Sequence, residues 1–256
     1  MLTIAIPARD EAPTIGVLLW RIRSVFQEYP REYDVIVYDD GSTDGTGDVL
    51  APYTKVLPLT ILGGAEHVGY ARAVEALLRE AARRTRYPRR DAVVLMQGDL
   101  TDQPEHIPEL TRRFEGGADV VVAERAINAQ MPVTERRLRT FAQWTRKPLF
   151  SALETADPFG TYRLIRLSIV RDLLKAKGDA RLFTTDGWAA NVDLLDAARR
   201  AARRVESVAL APRYDLRPRE TRRRLFADAI ALFKTGRDVR KHAPPAPPRS
   251  EPALSQ

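Results

Sequence analysis

The chain of 256 residues contains no cysteine. That absence excludes disulfides, thiolate metal sites and thiol nucleophiles, so any metal bound here takes oxygen or imidazole ligands. Histidine is almost missing too: His67, His106 and His242 are scattered without metal-ligand spacing, which fits surface or supporting roles. No apolar run approaches the roughly 18 to 20 residues that span a bilayer, and the N-terminus lacks the basic-then-apolar pattern of a secretory signal. The expectation is a cytoplasmic protein, at most peripheral on the inner face of the cell membrane. Lysine is scarce: of 41 basic residues only 55, 147, 175, 177, 234 and 241 are lysine, leaving 35 arginines, a formal charge of +7 and a pI near 9.8. This balance suggests an anionic partner: nucleic acid, a membrane surface or a phosphorylated substrate. A chain rich in Arg and Ala also presents solvated helix faces, and no nucleic-acid recognition motif accompanies the charge.

What is present reads as alternating strands and helices. Leu2-Thr-Ile-Ala-Ile-Pro7 is a short β-branched run ended by Pro, and Thr14 to Tyr29 carries Ile15, Leu18, Leu19, Ile22 and Phe26 on one helical face. Tyr33 to Asp39 repeats the strand pattern and breaks at Asp40-Gly-Ser-Thr-Asp-Gly-Thr46, a turn rich in helix caps. Val56 to Leu62 predicts a third strand, Gly69 to Thr85 a helix, Ala92 to Gly98 a fourth strand and Ala118 to Ala123 a fifth. The alternation implies an α/β fold with a mainly parallel, doubly wound sheet and helices on both faces. After Glu124 the regularity fades: 136 to 154 is amphipathic around Pro148, 188 to 204 predicts a helix and Val205 to Leu210 a strand. One domain over 1–221, an amphipathic helix over 222–242 and a disordered Pro-rich tail over 243–256 are expected.

Each strand end hands over polar residues, and in such sheets ligands bind at the carboxyl ends of the strands. The sharpest case is Met96-Gln-Gly-Asp-Leu-Thr-Asp-Gln-Pro-Glu105, where an apolar run stops at Gln97-Gly98-Asp99. An Asp in that position serves a metal or a polar ligand.

Four segments in order, Ile4-Ala-Ile-Pro-Ala-Arg-Asp-Glu11, Val35-Ile-Val-Tyr-Asp-Asp-Gly-Ser-Thr-Asp44, Met96 to Glu105 and Ala118-Asp-Val-Val-Val-Ala-Glu-Arg125, together resemble the family 2 inverting glycosyltransferases, and among them the polyprenyl- or dolichyl-phosphate sugar synthases. The resemblance implies the GT-A nucleotide-sugar-binding fold, a UDP- or GDP-hexose donor, and a divalent cation, Mg²⁺ or Mn²⁺, on the donor diphosphate. It implies that Pro7, Ala8, Arg9 and Glu11 wrap the nucleoside and that Asp39 and Asp40 offer acceptors to base N–H groups or ribose hydroxyls. Gly69 opens the family's Gly-rich helix start, and Arg72 faces either phosphate or solvent. Asp99 becomes the metal ligand, beside Gln97 and Gly98. The usual Asp-x-Asp is Gln97-Gly98-Asp99 here, and Thr101 stands where Gln is common. One charged ligand then replaces two, unless Asp102 or substrate phosphates complete the shell; weak metal binding, metal-free catalysis with Arg and loss of turnover are the three outcomes left open.

On the acceptor side, a lipid monophosphate is largely dianionic near neutral pH, so its oxygen attacks without a strong base and the protein supplies cationic positioning. Arg125, Arg139, Arg217 and Arg222 stand where the synthases have basic residues. Asp157-Pro-Phe-Gly160 with Tyr162-Arg163 resembles the acceptor loop, and Asp193 is either a base for a hydroxyl acceptor or a structural partner. Trp144 and Phe150, among Arg137, Arg139, Arg146 and Lys147, suit either the core or an anionic membrane surface. The partners expected are therefore a nucleotide-sugar, a lipid phosphate and an anionic membrane, with nucleic acid excluded.

Overall fold

The computed structural model describes residues 1–125, 131, 133, 136, 137, 140, 155, 157–216, 230, 234 and 235. Seven strands form one sheet: β1 (Leu2–Ala8), β2 (Tyr33–Asp40), β3 (Leu59–Gly64), β4 (Ala92–Leu95), β5 (Val120–Arg125), β6 (Arg163–Arg166) and β7 (Val205–Leu210), in the order β3-β2-β1-β4-β6-β5-β7. β6 runs antiparallel to both neighbours, and every other pairing is parallel.

Side-chain alternation along each strand builds two cores. Ala5, Ile36, Val93, Leu95, Val120, Val122 and Ile165 face one side, where they meet α3 (Tyr70–Arg84), α5 (Leu167–Lys177) and α6 (Trp188–Ala201). Ile4, Ile6, Val35, Val37, Val94, Val121 and Leu164 face the other, against α1 (Ala12–Glu28), Leu50 of α2 (Thr46–Leu50) and α4 (Ile107–Glu115). Strands buried on both faces read as near-continuous apolar runs: β4 is one, β1 is broken only by Thr3, and β5 is apolar up to Glu124. The expected sheet with helices on both faces is therefore observed.

The differences lie at boundaries. β3 starts at Leu59, not Val56, because Ala51–Lys55 winds into a 3₁₀ turn whose closing N–H groups, from Val56 and Leu57, both reach Tyr53 O. β4 stops before Gly98: Met96 N–H still reaches Ala5 O, but the next N–H, of Gln97, turns to the Asp102 carboxylate. β6 and α5 were not expected. Arg-Leu-Ile-Arg carries a polar residue at each end and is too short to show a period. The amphipathic stretches 136–154 and 222–242 and the tail from 243 lie outside the described residues, apart from 136, 137, 140, 230, 234 and 235. No helix among the described residues is long and apolar enough to cross a membrane.

Asp119 ties the antiparallel strand in place. Its carboxylate accepts from Arg166 Nε at 2.6 Å and from Arg203 N–H at 2.8 Å, joining the start of β5 to the end of β6 and the start of β7. Burial alone would raise its pKa, yet the Arg203 N–H and the Arg166 guanidinium hold it below the ordinary carboxylate value. A depressed native pKa stabilises the fold fully above the unfolded value of about 4 and loses that stabilisation as the pH falls through the lower native value. Asp119→Asn should therefore cost roughly 1–2 kcal/mol at pH 7 in urea denaturation. The gap from the unmodified protein should narrow as the pH falls below about 4, and a gap independent of pH would refute the charge argument.

Candidate functional site

The ends of β2, β1 and β4 lie side by side, so the loops that follow them share one rim. Two of these loops are stitched together. Asp10 N–H donates to Ser42 Oγ at 2.8 Å, Thr43 N–H returns to Asp10 Oδ1 at 2.8 Å, Glu11 N–H reaches Thr46 Oγ1 at 2.8 Å and Ala12 N–H reaches Asp44 Oδ2 at 3.0 Å. Asp10 has φ 46°, a left-handed conformation that a non-glycine residue holds only when its surroundings enforce it. Glu11 is buried and accepts the Thr14 hydroxyl at 3.0 Å. Pro7, Ala8 and Arg9 thus end β1 on a fixed wall.

The two aspartates ending β2 divide their work. Asp40 is committed: its carboxylate accepts Val68 N–H at 2.6 Å and Gly69 N–H at 3.2 Å, and its Oδ2 meets His67 Nδ1 at 2.9 Å. His67 Nε2 in turn contacts Arg9 at 2.7 Å. Asp40, expected to offer acceptors to a base or ribose, here also clamps the loop that opens α3. Asp39 is different. Its Oδ1 accepts Ser42 N–H at 3.1 Å, and its Oδ2 accepts no hydrogen bond among the described residues. Gly41 at φ 66° lets the loop close, since a Cβ there would stand 2.8 Å from His67 N.

At the end of β4 the chain doubles back. Leu100, with φ 63°, reverses it so that Asp102 Oδ2 accepts Gln97 N–H at 2.9 Å, while Asp102 Oδ1 takes the Arg125 guanidinium. Both partners of this ion pair are buried. Burial pushes the Asp102 carboxyl up, and the Arg125 charge and the Gln97 N–H pull against it. Asp102, left open as a completion of the metal shell, and Arg125, expected among the acceptor cations, here pair with each other. Asp99 is 2 % exposed, with Oδ1 accepting Thr101 N–H at 3.1 Å. A cavity of about 10 Å³ beside the pair, lined by Thr101, His106, Tyr162 and Pro212 among others, has room for about one water and none for a substrate.

Asp193 on α6 accepts the Thr185 hydroxyl at 2.6 Å and the Thr184 hydroxyl at 3.3 Å, which gives the structural alternative a geometric basis. Next to those threonines, Asp186 accepts Ala71 N–H at 2.7 Å in the first turn of α3, where Gly69, at φ 95°, is the cap. Arg72 is exposed on the same turn. Arg139, Arg217 and Arg222 lie outside the described residues.

With the strand-end rim in place, the comparisons decide the family. The sequence pattern described as glycosyl transferase family 2 matches residues 3–174. The chain belongs to glycosyl transferase family 2. Among its relatives, the bactoprenol glucosyl transferase of Shigella phage SfV is 28% identical over 177 residues, 67% of this chain and 54% of that protein. The undecaprenyl-phosphate mannosyltransferase of Micrococcus luteus is 28% identical over 220 residues, 81% of each chain. This family 2 chain spans about half the length of the phage transferases it matches. In three dimensions it resembles glucosyl-3-phosphoglycerate synthase of Mycobacterium tuberculosis solved with Mn²⁺ and UDP, at TM-score 0.62 and 19% identity, over 93% of this chain and 77% of that one. S. aureus TarS 1-349 with UDP-GlcNAc matches at TM-score 0.62 and 14% identity, over 94% of this chain and 67% of that one. These likenesses establish the GT-A fold.

Fold neighbours bind divalent metal, and the local chemistry can be tested for it. Among the described residues no group of three His, Asp or Glu side chains could hold an ion. Asp99 supplies the one carboxylate of the set Gln97-Gly98-Asp99. Hard cations take six or more oxygens, so this set fits an ion shared with a diphosphate and not one held by the protein alone. Sequence reasoning missed Thr161, which holds Gln97, together with Tyr70 and Asn191 behind it, and Asp186, which accepts Ala71 N–H at the start of α3. The one available signal was their position beside Gly69, Gly160 and Gly187.

The buried pair makes a stability prediction. Arg125→Met should cost about 3–5 kcal/mol, because it strands the Asp102 carboxylate in the interior. Adding Asp102→Leu should recover part of that loss in denaturant titrations. A double variant as unstable as the sum of the singles would show that the two are not coupled.

Proposed function

We propose that the chain transfers a hexose, with inversion, from a nucleotide diphosphate sugar to a polyprenyl-phosphate-type acceptor. Its relatives' names describe such transfers onto bactoprenol and undecaprenyl phosphate. The observation that carries the donor half is Asp39, whose open oxygen stands beside the stitched wall at the end of β1. A single open oxygen suits the one N3–H of uracil. The paired N1–H and N2–H of guanine would call on both oxygens, and Oδ1 would then have to serve Ser42 N–H as well. UDP is therefore the expected carrier in place of GDP.

In this reading Pro7, Ala8, Arg9 and Glu11 shape the nucleoside wall, Asp39 accepts from the base, and Gly69 with Arg72 lies near the phosphates. Asp99 would share a Mg²⁺ or Mn²⁺ ion with the diphosphate; such an ion neutralises charge on the departing group. A phosphate acceptor needs no general base, which agrees with Asp193 being occupied by two threonine hydroxyls. Arg139, Arg217 and Arg222 are the proposed acceptor cations, and Arg125 acts behind them by fixing Asp102. An acceptor of this type places the work at a membrane surface.

The test is incubation with UDP-glucose, GDP-mannose and related donors, undecaprenyl phosphate and Mn²⁺. A glycolipid should form and be lost in Asp99→Ala. In thermal-shift titrations UDP should stabilise more than GDP, and Asp39→Asn should weaken UDP binding about tenfold, the 1.4 kcal/mol of one charged hydrogen bond. Asp193→Asn should leave lipid transfer intact, and its abolition would favour a hydroxyl acceptor. No product with any donor would sink the proposal.

A further inference from the structure

Gln97 is the departure that the buried network explains. From Asp91 to Pro104 every residue is buried except Gln97, which is partly exposed. Its side chain is thus more open to the rim than that of Asp99, which is 2 % exposed.

The amide is held through neutral side chains. Thr161 Oγ1 accepts from Gln97 Nε2 at 3.1 Å and from Asn191 Nδ2 at 3.3 Å. Both lone pairs are then used, so the Thr161 hydrogen goes to Tyr70 Oη, 3.0 Å away. The Tyr70 hydroxyl in turn donates to Asn191 Oδ1 at 2.8 Å. In this arrangement the side chain at position 97 is the donor to Thr161. A carboxylate there has no hydrogen to give and would compete with Tyr70 for the one on Thr161. The network therefore selects Gln over Asp. It leaves Gln97 Oε1 without a donor among the described residues, and the second Nε2–H is likewise uncommitted.

We propose that Gln97, held by Thr161, Tyr70 and Asn191, reads hydroxyl groups of the donor hexose. An oriented amide presents one acceptor and one donor, the match for a sugar hydroxyl pair, and it adds no negative charge beside a diphosphate. A buried network that fixes its orientation removes the rotamer freedom that binding would otherwise have to freeze. The inference rests on the nucleotide-sugar reading of the site.

Calorimetry separates the two. Affinities of the full chain for UDP and GDP are measured first, then those for UDP-glucose, UDP-galactose, UDP-N-acetylglucosamine and GDP-mannose, with Mn²⁺ and with chelator. Binding of neither nucleotide overturns the donor reading and this proposal with it. If a nucleotide binds, the ratio of its affinity to that of its sugar conjugate isolates the hexose. Gln97→Met should reduce the hexose contribution about five- to tenfold and flatten discrimination between epimers, while nucleotide affinity stays within about twofold, the scale of one or two neutral hydrogen bonds. Thr161→Val, which keeps the shape and removes the anchor, should give a smaller loss in the same direction. Equal losses for nucleotide and sugar conjugate would make Gln97 purely structural. A loss that appears only with Mn²⁺ present would make it an ion ligand. Either result overturns the proposal.

Discussion

The ion pair of Asp102 and Arg125 is the constraint on which the rim depends. A buried carboxylate accepts whatever donors are at hand, and here it takes the guanidinium at the end of β5 and the main-chain N–H of Gln97. The second of these bonds ends the β4 ladder and requires Leu100 to adopt a left-handed conformation, at a cost on the order of 1 kcal/mol or more. In return the strand end is fixed to β5, across the antiparallel β6 that separates them in the sheet. A buried pair of this sort contributes less to net stability than its Coulomb attraction suggests, because both charges were stripped of water. It holds residues 97–102 in a turn where Gln97 is partly exposed and Asp99 is 2 % exposed.

The same logic operates on either side of β1. On the β2 side, charged groups answer main-chain N–H groups: Asp10, Asp39, Asp40 and Asp44 each accept from a loop, so four carboxylates go into shaping a wall. On the β4 side, neutral groups answer one another through Thr161. The sheet order brings both to one edge, where a nucleoside would meet the charged wall and a sugar the neutral circuit. Division of this kind follows from solvation: a base N–H gains from a carboxylate, whereas hydroxyls in front of a diphosphate are better met by groups without charge.

The strand and helix alternation up to β5 was legible because those strands are buried on both faces and the helices on one, which leaves distinct apolar patterns. The motif residues were legible as positions. Their partners were not: that Asp40 holds Val68 and Gly69, or that Arg125 turns to Asp102 and away from solvent, depends on contacts some 23 to 29 residues apart that no local pattern encodes. Arg163 shows the limit well. Expected as part of a segment resembling the acceptor loop, it is fully buried, donating to Asn191 O at 2.7 Å and to the carbonyls of Pro158 and Gly160, and burial draws its pKa down to about 10. A side chain so placed made β6 unreadable as a strand.

Net charge proves a poor guide for the same reason. Many arginines that make up the +7 are engaged within the fold: Arg21 with Glu105, Arg84 with Glu80, Arg113 with Glu206, Arg166 with Asp119, and Arg171 with the carbonyls of Ala82 and Thr85. Most such surface pairs contribute about 0–1 kcal/mol each and form no single anion-binding face. What a diphosphate would meet is decided by a few groups at the strand ends. Two unit charges 4 Å apart interact by about 4 kcal/mol at an effective dielectric of 20, so a second carboxylate at position 97 would repel the diphosphate on that scale unless an ion stood between them. A glutamine there removes the repulsion and with it much of the protein's own hold on a cation. On the proposed reading, such a site would depend less on a metal to admit its donor and more on the geometry that a neutral network can keep.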